Sequence, residues 1–190
     1  MTFRLSLLLF IVLSACSDRK TKHLSEAAVL KIAEKNYDLL RTVLKDSLAN
    51  GIQNVNDYDR SFTGAEKMQL DSLIRAFRNQ TGHRITIFTF DSLMTSKDSI
   101  EEVTIIVGTK NQVNTTLGIS FPNKEIFIWN DSLTNNTRLD QFETKRIIDQ
   151  KFIPFYKNEA YFKGTFEGIR AIIQSIDNKQ QSKKQTKNDG

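Results

Sequence analysis

A chain of 190 residues with 39% hydrophobic content is long enough for one domain with a sizeable core, and its single cysteine, Cys16, excludes an intrachain disulfide and any thiolate metal cluster. The net charge of +5 becomes +4 once residues 1–15, whose only charge is Arg4, are taken away. The excess lies at the ends, in Arg19, Lys20 and Lys22 and in Lys179, Lys183, Lys184 and Lys187; such clusters suit anionic lipid head groups or plain solvation, and without a stacking motif they exclude a nucleic-acid partner.

Arg4 is followed by a charge-free run from Leu5 to Ala15. A membrane helix needs about 20 apolar residues, whereas a secretory signal needs a basic start, an apolar run of roughly 7–15 residues and small residues before the cut. The run ends in Leu13-Ser14-Ala15-Cys16, which resembles the bacterial lipobox, where the Cys sulfur receives a diacylglyceryl group and the signal is cut ahead of it. The resemblance implies a signal peptide over residues 1–15 and lipidation of Cys16 by fatty acyl chains, palmitate among them. It also implies a lipoprotein of the cell envelope, held to a membrane through its lipid anchor and facing the periplasm or the cell surface.

Residues 16–23 read as a tether. Over residues 24–50, Val29, Ala33, Tyr37, Leu40, Leu44 and Leu48 recur at steps of three and four, the period of an amphipathic helix ending near Asn50-Gly51. Its apolar stripe fits packing on the main domain or a coiled seam with another protein.

Ile52 to Arg60 is polar and turn-like. Thr63 with Glu66 forms a capping box opening a helix whose stripe is Leu70, Leu73, Ile74 and Phe77 and whose stop is Thr81-Gly82. Arg84 to Phe90 carries β-branched and aromatic residues on both alternating faces, as a central strand covered on both sides does. Ile100 to Val107 fits a helix face through Ile100, Val103 and Val107, and a strand through its β-branched run.

Thr115 to Phe121 and Glu125 to Trp129 read as a hairpin across Pro122-Asn123, and Leu139 to Phe152 and Ala160 to Ile176 as two amphipathic helices. The last thirteen residues, from 178 to 190, lack an apolar run and predict a disordered basic tail. Mixed helices and strands in this order build an α/β fold in which a small mixed sheet carries helices on both faces.

The segment 55–177 resembles the TPM domain, a family that includes thylakoid lumen proteins of photosystem repair and bacterial envelope proteins. Val55, Asp57 and Thr63 match its Val-x-Asp start, Thr81-Gly82 its Thr-Gly, and Ile147-Ile148, Ile153-Pro154-Phe155, Tyr161, Gly164 and Gly168 its C-terminal run in order and spacing. The resemblance implies a three-layer α/β/α sandwich, here with an extra N-terminal helix. Glycine-rich stretches usual in the family are replaced at Gly108 to Asn114 and Trp129 to Asn136 by Asn, Asp and Thr, which reshapes those loops. Asp140, opening the helix after the hairpin, matches the family's acidic position.

His23 lies in the tether, and His83, after a Thr-Gly turn, reads as a surface or turn residue, so neither supports Ser-His-Asp catalysis or a His-rich metal site. Asp57, Asp59, Asp131, Asp140 and Glu143 fall at element ends, where loops converge on one sheet edge. Family members that bind calcium or act as phosphatases imply a metal site at Asp57 and Asp140. Asp-Ser-aliphatic triplets begin at Asp46, Asp71, Asp91, Asp98 and Asp131. They resemble acceptors for O-glycosylation in some Gram-negative envelopes, which would modify Ser92, Ser99 or Ser132, and they equally suit turns and helix starts. Without a complete catalytic constellation, the reading is a binding or assembly module, with an envelope protein as partner, and the alternative is a calcium-dependent phosphatase-like hydrolase.

Overall fold

The computed structural model describes residues 52–90 and 97–188, with side chains described for 52–90 and 100–178. The chain divides into two units, Met1–Lys31 and Ile32–Gly190, and everything described belongs to the second. The signal peptide, Cys16, the tether and the predicted helix over 24–50 lie outside the described residues.

Four strands form one sheet in the order β1-β2-β3-β4: β1 (Val55–Asp57), β2 (Ile85–Thr89), β3 (Thr115–Ser120) and β4 (Glu125–Asn130). The first three run parallel and β4 returns antiparallel, which makes the sheet mixed. β1 corrects the sequence reading of Ile52 to Arg60 as turn-like. Three residues, Val-Asn-Asp, are too few to show a period, and they pair because β2 offers its edge.

Between β1 and β2 runs α1 (Gly64–Thr81), closed at its start by the reciprocal Thr63–Glu66 capping box and at its end by Gly82 at φ 72°, a left-handed turn open to Gly at little cost. Between β2 and β3 runs α2 (Lys97–Lys110), so Ile100 to Val107 is helical. Its buried Ile100, Val103 and Val107 face the sheet at helical spacing, which outweighs β-branched propensity. After β4 come α3 (Ser132–Thr137), α4 (Gln141–Ile147), a π turn (Ile148–Phe152), α5 (Ile153–Lys157) and α6 (Tyr161–Asn188).

The alternation of β2 decides the layers. Ile85 and Ile87 point into a core shared with Leu70, Ile74 and Phe77 of α1, Ile147 of α4 and Ile169, Ile172 and Ile176 of α6. Phe88 and Phe90 point the other way, into a second core with Ile100, Val103 and Val107 of α2. The result is the expected α/β/α sandwich. Both parallel crossovers step the same way across the sheet while α1 and α2 lie on opposite faces, so the two have opposite hand, and one is of the left-handed kind that is rare in parallel sheets.

Two C-terminal expectations change. The single helix expected over Leu139 to Phe152 widens into a π turn just before Pro154. Proline has no N–H to give the carbonyl one turn back and its ring crowds that carbonyl, so the ladder opens there. The backbone of α6 continues to Asn188, where a disordered tail was expected. Lys and Gln are good helix formers, and extending a packed helix needs no new nucleus. No helix among the described residues is long and apolar enough to cross a membrane.

Candidate functional site

The carboxylates predicted to meet on one sheet edge are divided between two. Asp57 ends β1 at the carboxyl end of the parallel strands. Its Oδ1 accepts the Ser61 amide at 3.0 Å and the Thr89 hydroxyl at 2.8 Å, its Oδ2 accepts the Phe62 amide at 3.2 Å, and Lys67 Nζ stands 3.6 Å away. With 1% of its side chain exposed, Asp57 is fully occupied in aiming the chain from β1 into α1. Asp59, beside it, accepts the Ser61 hydroxyl at 2.7 Å. Burial raises its carboxyl above the usual range, and the hydrogen bonds it accepts from Ser61 pull the other way.

Asp140 lies at the opposite end. It caps α4 by accepting the Glu143 amide at 2.8 Å, and its neighbour Leu139 accepts from Asn130 Nδ2 at 3.1 Å. Asp57 aligns through Thr89 and Ile119 with Ile126, whereas Asn130 ends β4 four residues farther on. That separation is roughly 13 Å along the strands and roughly 14 Å across them. Asp57 and Asp140 therefore stand at opposite ends of the sheet, and each serves its own helix start. Among the described residues no group of three or more His, Cys, Asp or Glu side chains is placed to hold a metal. Glu143 accepts Arg146 at 2.7 and 2.8 Å and the Ser175 hydroxyl at 2.9 Å.

His83 corrects the surface reading, because only 2% of it is exposed. Gly82 turns the chain so that the imidazole enters between α1 and the sheet, 5.7 Å from the Phe77 ring. Arg138 Nη1 donates toward Nδ1 at 3.4 Å, which leaves the proton on Nε2, donated to Thr115 Oγ1 at 3.0 Å. The Thr115 hydroxyl donates on to Asn130 Oδ1 at 2.9 Å, and Asn130 Nδ2 to Leu139 and Thr144. Burial, followed by the Arg138 charge, lowers the His83 pKa to about 4. This neutral network ties β2, β3 and β4 to the α3–α4 connection.

The feature the sequence reading missed is the outer edge of β4. A groove of about 500 Å³ runs along it. Its floor is Ile126, Phe127, Ile128 and Trp129, and its lips are Glu101 of α2 on one side and Lys145 of α4 on the other. Trp129 is seated by Gly108, where a Cβ would come within 2.5 Å of the indole. Gln141, exposed at the start of α4, lines the groove one turn before Lys145, while the 80% exposed Phe142 beside it lies outside the lining. A six-residue strand with no Pro, Gly or Lys was legible, but its place at the end of the sheet was not.

Of the glycosylation candidates, Ser92 lies outside the described residues, and Ser99 falls in α2 with its side chain likewise undescribed. Ser132 is exposed as the first residue of α3, behind its cap Asp131, whose carboxylate accepts the Thr134 amide at 2.7 Å.

In comparisons with known proteins, the solution NMR structure of the N-terminal domain of a protein from P. gingivalis superposes with a TM-score of 0.62 at 19% identity, covering 70% of this chain and 87% of that one. At that identity the likeness speaks for the fold. No curated protein sequence matches. The profile of the TPM domain matches residues 55–175, from β1 into α6. With nearly two thirds of its length inside that match and the sandwich in place, this chain belongs to the TPM domain family.

Proposed function

We propose that this TPM domain is a binding module held at the cell envelope by a lipid on Cys16. The observation that carries the binding reading is the groove at β4. It joins an apolar floor holding Phe127 and Trp129 to charged lips, the makeup of a recognition surface rather than of a reaction centre. A calcium-dependent hydrolase would need Asp57 and Asp140 at one cation, whereas Asp57 spends both oxygens on the start of α1. The anchor rests on Leu13-Ser14-Ala15-Cys16 and the apolar run before it.

A photo-crosslinking residue placed at Gln141, exposed in the groove's lining, is expected in cells to trap a partner that the same residue at exposed Lys157 does not. Equal yields at the two positions would overturn the binding reading. Cys16→Ala is expected to move the chain out of the membrane fraction, and its persistence there after processing would overturn the anchor.

A further inference from the structure

We propose that the groove takes an extended segment of a partner protein as a fifth strand on β4, apolar on one face and basic on the other. The inference rests on the binding reading above and specifies the class of partner.

The backbone carries the first step. Ile119 accepts the Phe90 amide, just past the end of β2, at 2.8 Å, and Asp131 donates its amide to the Asn114 carbonyl at 2.9 Å. Residues of a strand turn their backbone polar groups to alternate sides, so Thr116, Gly118 and Ser120 bond to β4 through Glu125, Phe127 and Trp129. Ile126, Ile128 and Asn130 are left with N–H and C=O aimed into the groove. Natural sheets blunt such edges with Pro, Lys, bulges or very short strands. β1 meets this need by its three-residue length. β4 has six residues, Glu-Ile-Phe-Ile-Trp-Asn, in unbroken register and without any of these devices. An edge of this kind is a template for another strand.

Charge identifies the occupant. Glu101 is half-buried at the lip on the α2 face and has no ion pair among the described residues. Lys145 stands on the α4 face, already paired with Asp149. A second copy joined through β4 would be related by a two-fold axis perpendicular to the sheet, which sets Glu101 against its own mate and Lys145 against its own. Like charges facing across a seam oppose that pairing. A foreign strand escapes the constraint. Its side chains toward α2 should include Lys or Arg for Glu101, and those toward α4 should be aliphatic, to cover Ile126, Ile128 and Ile148. This chain's own leading segment joins the described part at Ile52, three residues before β1, the strand at the opposite edge of the sheet from β4.

The test uses the full lipidated chain in detergent micelles and a synthetic acetyl-Val-Lys-Val-Thr-Val-Lys-Val-amide peptide. Trp129, the only tryptophan, reports binding by its fluorescence. Strand addition is expected to slow exchange of the Ile126, Ile128 and Asn130 amides about tenfold or more, while Phe127 and Trp129, already bonded to β3, stay unchanged. N-methylation of alternate peptide amides should abolish binding. Exchanging the peptide's Lys for Glu should weaken binding about tenfold, and Glu101→Lys should reverse that preference. Binding that leaves the three edge amides unchanged, or that survives N-methylation, overturns the strand proposal and spares the binding module. Failure of the peptide to bind also overturns it, and the Gln141 crosslink then judges the module separately.

Discussion

Gly168 and Phe152 share one space, because a Cβ on Gly168 would come within 2.0 Å of the Phe152 ring. The π turn ends at Phe152 and advances this fully buried ring against α6, where only glycine leaves room. The family-type Gly168 is thus explained by packing. Gly168→Ala is expected to cost about 1–3 kcal/mol by overpacking, seen as a lower urea midpoint with an unchanged slope. Phe152→Leu makes room, so the double variant should lose less than the sum of the two single losses.

A pH effect follows from His83. Its ordinary value of 6.5 applies to the unfolded chain, and in the fold the value falls to about 4 through burial and then the Arg138 charge. The native state thus holds the neutral form, and the unfolded state binds the proton first as pH drops. Stability from this group is whole above pH 6.5 and is lost as pH falls toward 4, by up to about 3 kcal/mol. His83→Gln should lose less stability than the wild type between those two values in chemical denaturation. Parallel curves would refute the assignment.

The elements that sequence made legible are those whose signals are local. Thr63, Glu66 and Gly82 bracket α1 because capping is chemistry between near neighbours, and the hairpin shows through its own alternation. The parts that stayed hidden depend on distant residues. β1 exists because β2 accepts it, and α3, Ser-Leu-Thr-Asn-Asn-Thr, has poor helix formers held by the Asp131 cap. His83 read as a turn residue because its partners Thr115 and Arg138 are 32 and 55 positions away. The placing of Asp57 and Asp140 at opposite ends of the sheet was hidden for the same reason, since no local pattern tells which end of a sheet a carboxylate occupies. The groove needed strand order, which one sequence does not display.

Among the described residues, the hydroxyl of Thr116 is the one buried side-chain polar atom without a hydrogen-bond partner. It sits on β3 under α2, fully buried, near Gly108. Valine keeps the shape and the β-branching and removes the unmatched group. Thr116→Val should therefore stabilise the domain by about 1 kcal/mol, read as a higher urea midpoint. A loss of stability would mean that the hydroxyl has a partner.

Asp57 and Asp140 give a test of whether the acidic positions act together. Asn at 57 keeps the shape but turns an NH₂ group toward one set of donors, either the Ser61 amide and Thr89 hydroxyl or the Phe62 amide. Leaving a buried donor unmatched costs about 1–3 kcal/mol. Asp140→Ala removes only the cap on the Glu143 amide, at a cost of about 1 kcal/mol. Sites farther apart than roughly 7–10 Å that share no partner add within about 0.3–0.5 kcal/mol. The register sets these two well beyond that range, so the double variant should lose the sum of the single losses, with calcium or without it. A shared cation would break the rule in a recognisable way: calcium would stabilise the wild type, either single change would abolish the gain, and the second change would then cost less than it does alone. Urea titrations of the four proteins with and without calcium would show which holds, and a calcium-dependent coupling between Asp57 and Asp140 would overturn their assignment as separate caps.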